Sequence, residues 1–214
     1  MKLLLFQLVT LLSMLSSLAF GQISPKTNYF GLRAGYLRTA TTITASQGAK
    51  DYGTKLVGIA DRSGFYSGVF YHHNLGKVLA YRLELNYQQK GIQNQDPAGN
   101  FLFEQPFHYI GFTPLFGITP LSKLSVFVGP EANLRVGAIP PGQNNRPTSI
   151  EAGISTRVSY RYKRIGIEVS YFNAFNTFNS FEVNPIIRFD FKNQNWQAGL
   201  FFALSKLKKD SESN

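Results

Sequence analysis

Between Tyr81 and Lys90 the chain reads YRLELNYQQK, and its side chains fall into two unlike sets: Tyr81, Leu83, Leu85 and Tyr87 in one phase, Arg82, Glu84, Asn86, Gln88 and Lys90 in the other. Successive side chains of a strand point to opposite sides of a sheet, so this strict period of two describes a strand with one apolar and one charged face. Two kinds of fold accept such a strand. In a soluble sandwich the apolar face enters a shared core and the polar face meets water. In a transmembrane barrel the apolar face meets lipid, the polar face lines the interior, and aromatics gather at headgroup level. The same alternation recurs along most of the chain.

The opening residues, MKLLLFQLVTLLSMLSSLAFGQ, favour the second reading. Lys2 precedes an apolar run from Leu3 to Leu18, and the small residues Ala19 and Gly21 follow two apart, the layout of a secretory signal peptide cleaved before Gln22. Gln7, Thr10 and three serines interrupt the run, whereas a spanning helix wants about 20 predominantly apolar residues. The expected organisation is a signal peptide at 1–21, an outer-membrane barrel at 22–205 and a charged tail at 206–214. The sequence contains no cysteine. A lipoprotein anchor, a disulfide framework and a thiolate metal site are thereby excluded.

A mean hydropathy of -0.12 resembles that of a soluble protein. It counts little against a barrel, because a lipid-facing strand needs only alternate residues to be apolar. Aromatics at 14%, charged residues at 16% and 19 glycines fit a barrel well. The formal net charge of +10 suits contact with anionic lipid headgroups. Many of the charges fall at inward strand positions, so nucleic acid is not an expected partner.

Strand patterns run over about Tyr29 to Thr42, Gly64 to Tyr71, Leu79 to Lys90, Pro106 to Ile118, Lys123 to Val136, Ile150 to Tyr160 and Ile165 to Asn173. Polar connections rich in Gly, Pro and Asn alternate with tight turns at Asn74 to Lys77, Thr119 to Ser122 and Arg161 to Arg164. Long loops at one end and short periplasmic turns at the other are the habit of outer-membrane barrels. Phe181 to Phe191 alternates like a strand, and a turn at Lys192 to Gln194 leads to a last strand, Asn195 to Ser205. Bacterial single-chain barrels have even strand numbers. The expected fold is therefore an all-β, antiparallel, up-and-down transmembrane barrel of eight strands if Phe181 to Phe191 is a loop, or ten if Lys55 to Ala60 adds another. Pro114 and Pro130 interrupt strand patterns, each deleting a ladder donor, and predict bulges or strand ends.

The inward phase collects Arg33, Arg82, Glu84, Glu131, Arg135, Glu151, Arg157 and Glu168, with Asn133 and Ser170 among them. Charges in a narrow lumen must be mutually bonded or hydrated, and an eight-stranded barrel is just wide enough for side chains to fill it. These eight residues are expected to form an interior charge network rather than a catalytic site. His72 and His73 are adjacent in a strand and so face opposite ways, which argues against one shared metal. His108 lies near the long-loop end, within conceivable reach of Asp51, Asp61, Asp96 or Glu104, as a rim hydrolase or acyltransferase would require. No repeated acid pair or spacing signature supports that chemistry, and no phosphate loop, nucleotide fingerprint or repeat is present. No enzymatic activity and no cofactor are expected.

The segments GLRAGY (Gly31 to Tyr36), GFYSGVF (Gly64 to Phe70), YRLELNYQQKG (Tyr81 to Gly91), HYIGFTPLFG (His108 to Gly117) and FVGPEANL (Phe127 to Leu134) resemble the PorT-like outer-membrane β-barrel family in order and spacing. The most specific echo is Glu84, Tyr87, Gln89, Lys90 and Gly91 at the end of the third strand. The resemblance implies a barrel in the outer membrane of a Gram-negative bacterium, monomeric and in contact with lipid, with protein partners in secretion or envelope assembly. It supplies no catalytic residues, and the namesake's link to a secretion system of gliding bacteria does not transfer with the fold. A narrow channel for small solutes is the alternative function.

Overall fold

The computed structural model describes residues 28–45, 59–95, 101–121, 123–137, 148–182 and 188–206. The elements are β1 (Tyr29–Ala45), β2 (Ile59–Ala60), β3 (Arg62–Asn74), β4 (Leu79–Gln95), β5 (Phe101–Leu121), β6 (Leu124–Val136), β7 (Ile150–Tyr162), β8 (Ile165–Ala174), β9 (Asn179–Glu182) and β10 (Arg188–Lys206). Eight of them, all but the short β2 and β9, pair antiparallel with their neighbours, and β1 pairs with β10 from Tyr29↔Lys206 to Ala45↔Phe189, closing the barrel. Among the described residues closure joins the first and last strands of the wall, which is the condition for strands to cross a bilayer. The barrel is the eight-stranded form of the expectation.

Period two fixes which side of the wall each residue takes. Along β7 buried and exposed residues alternate from Gly153 to Tyr160, and along β8 from Ile165 to Ser170. The exposed set is apolar: Leu32, Val69, Leu85, Phe112, Val128, Val158, Ile167 and Leu200 all face outward. Two aromatic rings bound this band. Phe30, Tyr71, Tyr81 and Phe116 follow one another around the end with the tight turns, at centroid distances of 4.8, 6.0 and 6.5 Å. At the other end stand Phe65 with Tyr87 (5.7 Å) and Tyr171 with Trp196 (4.8 Å). On β1, β3, β4 and β10 the two members of each belt pair are six positions apart in sequence: Phe30 and Tyr36, Phe65 and Tyr71, Tyr81 and Tyr87, Trp196 and Phe202. Six residues of strand span about 20 Å, the length scale of the apolar band of a tilted outer-membrane strand.

Several expectations are corrected. Phe181 to Phe191 is neither one strand nor one loop: β9 pairs Phe181↔Phe189 and Asn179↔Phe191, so the segment folds into a hairpin whose second arm opens β10. Lys192 to Gln194 is strand, paired with Thr42 to Ala40 of β1 rather than turning. Ile59–Ala60 is a two-residue strand on Asn94 and Gln93, not a wall element, and 55–58 lie outside the described residues. Pro114 and Pro130 produce neither bulge nor strand end. The ladder between β5 and β6 is broken from Phe112↔Ala132 to Phe116↔Val128, but the register is the same on both sides, which sets the two prolines opposite each other. Two missing donors thus share one gap, and β5 and β6 keep their outer pairings to Leu83 and Ile154. The signal peptide and residues 207–214 of the tail lie outside the described residues, and β10 runs one residue into the expected tail.

Candidate functional site

The inward faces of the eight long strands meet as a column with an apolar floor, two ionic layers and an apolar roof. The floor, at the end with the tight turns, is Tyr29, Phe70, Phe201 and Ala203. His72 stacks on Tyr29 at 4.7 Å and shares a hydrogen bond with Asn74 Oδ1 (3.0 Å), while His73 lies on the outer face against Tyr71 and Tyr81. The Arg161 guanidinium lies 4.4 Å from the Tyr29 ring.

Above the floor lies an arginine layer. Arg33 on β1, Arg82 on β4 and Arg157 on β7 converge on two carboxylates, Glu84 on β4 and Glu168 on β8. Arg33 binds Glu84 Oε2 at 2.5 Å and Glu168 Oε1 at 2.6 Å; Arg82 binds Glu84 Oε1 at 2.7 Å and Glu168 Oε2 at 2.9 Å. Arg157 pairs with Glu84 Oε1. The surroundings are built for guanidinium. Arg82 lies over Phe70 (3.8 Å) and Arg33 over Tyr66 (4.4 Å), and Tyr66 donates to Glu168 (3.2 Å). A planar fork can bind one carboxylate edge and stack at the same time, which a lysine could not do. Tyr66 fits because the facing residue of β10 is Gly199: a Cβ there would come within 2.5 Å of the Tyr66 hydroxyl.

The second layer is assembled mainly from amides. Lys90 Nζ binds Glu151 Oε2 at 2.5 Å, donates to the side-chain amide oxygen of Asn195 at 3.0 Å, and lies 4.5 Å from the Phe172 ring. Asn193 donates to Glu151 Oε1 (2.6 Å). Glu131 takes its hydrogen bonds from Gln88 Nε2 and Asn133 Nδ2, both at 3.0 Å. Expected as part of a network of opposite charges, Glu131 is here held by neutral donors. Arg135 is likewise corrected: it leaves the column half-exposed and lies over Phe107 at 3.7 Å, beneath the roof. The roof gathers Phe107, Tyr109, Phe178, Phe189 and Phe191, with Ile43 and Ile92 packed on them. Phe178 comes from the connection after β8, tied by its backbone to Phe191 O (2.9 Å) and Thr148 N (3.0 Å).

Of the predicted network, Arg33, Arg82, Glu84, Arg157 and Glu168 meet in one layer and Glu131 and Glu151 in the other; Arg135 joins neither. The predicted network left out Lys90, the cation of the second layer, although parity set Lys90 in the phase of Glu84; it also left out Asn193, read as part of a turn, and Asn195, read as the first residue of the last strand. Both layers are buried: Arg82, Lys90, Glu131, Asn133, Glu151, Arg157, Asn193 and Asn195 are at most 2% exposed.

The rim does not bring a histidine to an acid among the described residues. His108 faces outward, its ring hydrogen-bonded to the Tyr87 hydroxyl at 2.6 Å. Glu104 pairs with Arg62 (2.5 Å) and Asp61 with Arg38 (2.9 Å), while Asp51 and Asp96 lie outside the described residues.

The fold is similar to that of solved structures. The crystal structure of the outer membrane protein OprG from Pseudomonas aeruginosa matches with a TM-score of 0.54 at 11% identity, covering 84% of this chain and 97% of that one. This protein is an outer-membrane β-barrel. The outer membrane protein AlkL, solved by solid-state NMR in DMPC lipid bilayers, is similar at a TM-score of 0.41 and 10% identity over 90% of this chain and 98% of that one. The NanC porin gives a TM-score of 0.32 at 10% identity over 83% of this chain and all of that one. Neither of these weaker likenesses bears on function. No family model matches the chain, and no curated protein does.

Proposed function

We propose that this barrel is closed to solutes and acts in binding, assembly or support within the outer membrane, without chemistry of its own. The observation that carries the reading is the burial of two successive ionic layers. A water path past either layer would leave its charged side chains accessible, yet Arg82, Arg157 and Lys90 are at most 2% exposed. Their charges are met by carboxylates and amides of facing strands rather than by solvent, the arrangement that makes burying them tolerable.

The testing experiment is a conductance measurement: purified protein in a planar bilayer should give no stable current. Steady, ion-selective current would replace this reading with the channel. One observation favours that second reading. The roof residue Phe178 belongs to a connection, so it could leave the mouth without breaking the wall; Phe178→Ala giving current where the parent chain gives none would support it.

We further infer a monomer surrounded by lipid. The five segments that resemble PorT-like barrels support kinship within that fold; a protein partner in the envelope is a separate proposal, which crosslinking in native membranes would test.

A further inference from the structure

On the outer surface at the tight-turn end, β7, β8 and β10 enclose a groove of about 750 Å³ whose walls are Tyr160, Tyr162, Ile165, Ile167 and Phe202. Its lower edge is basic. Lys163 and Arg164 of the β7–β8 turn line the groove, and Lys123 of the neighbouring β5–β6 turn approaches the Tyr162 ring that forms part of its wall. Lys123 Nζ and Lys163 Nζ lie 5.3 and 5.5 Å from the same Tyr162 ring. Two like charges are thus gathered at one aromatic, with Arg164 next in sequence, and no described carboxylate pairs with any of the three. The turn also adopts a costly backbone to do this. Lys163 has φ 56°, the left-handed region where glycine or asparagine would be cheap.

We infer that this groove is a binding site for an anionic phospholipid of the periplasmic leaflet, its phosphate between Lys123, Lys163 and Arg164 and an acyl chain along Ile165, Ile167 and Phe202. Charge complementarity selects the headgroup. Continuity with the lipid-facing band selects a lipid over a soluble anion, because the groove walls are the outward apolar residues of the barrel. Tyr162 serves both parts, its ring apolar toward the chain and holding two ammonium groups at the headgroup.

The test is native mass spectrometry of the refolded protein with phosphatidylglycerol and phosphatidylcholine of identical acyl chains. The intact protein should retain one phosphatidylglycerol in preference to phosphatidylcholine. A cation near a lipid surface contributes about 1 kcal/mol, so removing one of the three should lower retention about five-fold, and removing all three by about two orders of magnitude. Lys163→Gly separates binding from folding: it relieves the left-handed strain, so the unfolding midpoint should hold or rise while retention falls. Lys77→Gln, on the β3–β4 turn, should change nothing. Equal retention of the two lipids by the intact protein, or unchanged retention after Lys123→Gln, Lys163→Gln and Arg164→Gln together, would overturn the site. Inorganic phosphate competing as well as the lipid would overturn the lipid assignment. Retention appearing only after removal of residues 207–214 would assign the cations to the tail's carboxylates instead.

Discussion

Glu84 holds the arginine layer together, and its removal measures how dry that layer is. Its carboxylate meets Arg33 at 2.5 Å and Arg82 at 2.7 Å, and it also pairs with Arg157. In Glu84→Ala, three guanidiniums are left facing Glu168 alone, and Glu168 already engages Arg33 and Arg82. Removing one partner of a buried pair costs about 3–5 kcal/mol, because the remaining charge is left without solvent or counter-ion. The same chemistry at the surface provides the scale. Arg38 and Asp61 pair at 2.9 Å with side chains 59% and 42% exposed, so Asp61→Asn should cost about 0.2–1 kcal/mol. Urea unfolding in lipid vesicles, followed by the fluorescence of the single tryptophan, Trp196, reads both. Adding Arg157→Met to Glu84→Ala removes the guanidinium whose ion pair is with Glu84 and should recover more than half of the loss. If Glu84→Ala cost no more than Asp61→Asn, water would be solvating the orphaned arginines, and the closed-column reasoning would fail together with the proposed function.

Leu85→Arg should destabilise by about 2–4 kcal/mol, since Leu85 faces lipid near the middle of β4. Its inward neighbour is less tolerant than a spectator would be. Asn86 accepts from Arg33 and donates to Glu84, both at 3.2 Å, so Asn86→Ala should cost about 1–3 kcal/mol in the same assay. The β9–β10 hairpin should loosen in acid. Burial raises the Asp190 carboxyl, but the Ser180 hydroxyl and Arg188 guanidinium outweigh it and hold the group below its ordinary 3.8. A carboxylate lowered by folding adds stability that is present above the unfolded value and lost as pH falls through the folded one. Faster amide exchange at Asn179–Glu182 below about pH 4, and no such change in Asp190→Asn, is the expected outcome.

The side of the wall taken by each residue was legible because a strand's period is two and a lipid bilayer punishes a slip by one residue. Arg33, Arg82, Glu84, Arg157 and Glu168 could be set in the lumen from parity alone. Which of them touch could not, because contacts across a lumen depend on the stagger of strands that are far apart in sequence. Glu131 and Arg135 share a face of β6 and go to different fates, one to amides and the other to Phe107 beneath the roof. The start of β10 was misread for a local reason. Lys192, Asn193 and Gln194 look like turn residues, but Asn193 is inward and its polarity serves Glu151. The pairing of Asn179–Glu182 with Arg188–Phe191 was concealed by the even apolar alternation of Phe181 to Phe191. The facing prolines were opaque for the reason that applies to Arg135, since their juxtaposition is a matter of register.

The arginine layer also constrains the order of assembly. Each wall pairing except β1 with β10 joins strands that are neighbours in the chain, so hairpins can form one by one from local contacts. The ion pairs do not follow that order: Glu168 on β8 binds Arg33 on β1 and Arg82 on β4, residues separated by 135 and 86 positions. A partly curled sheet in lipid would expose the charges of its inner face to each other's absence, with Arg33 and Arg82 on one lip and Glu168 on the far one. Only the seam between β1 and β10 brings them together. The ionic layer therefore works as a latch, which gives a half-zipped barrel no stable resting place and makes closing and opening all-or-none.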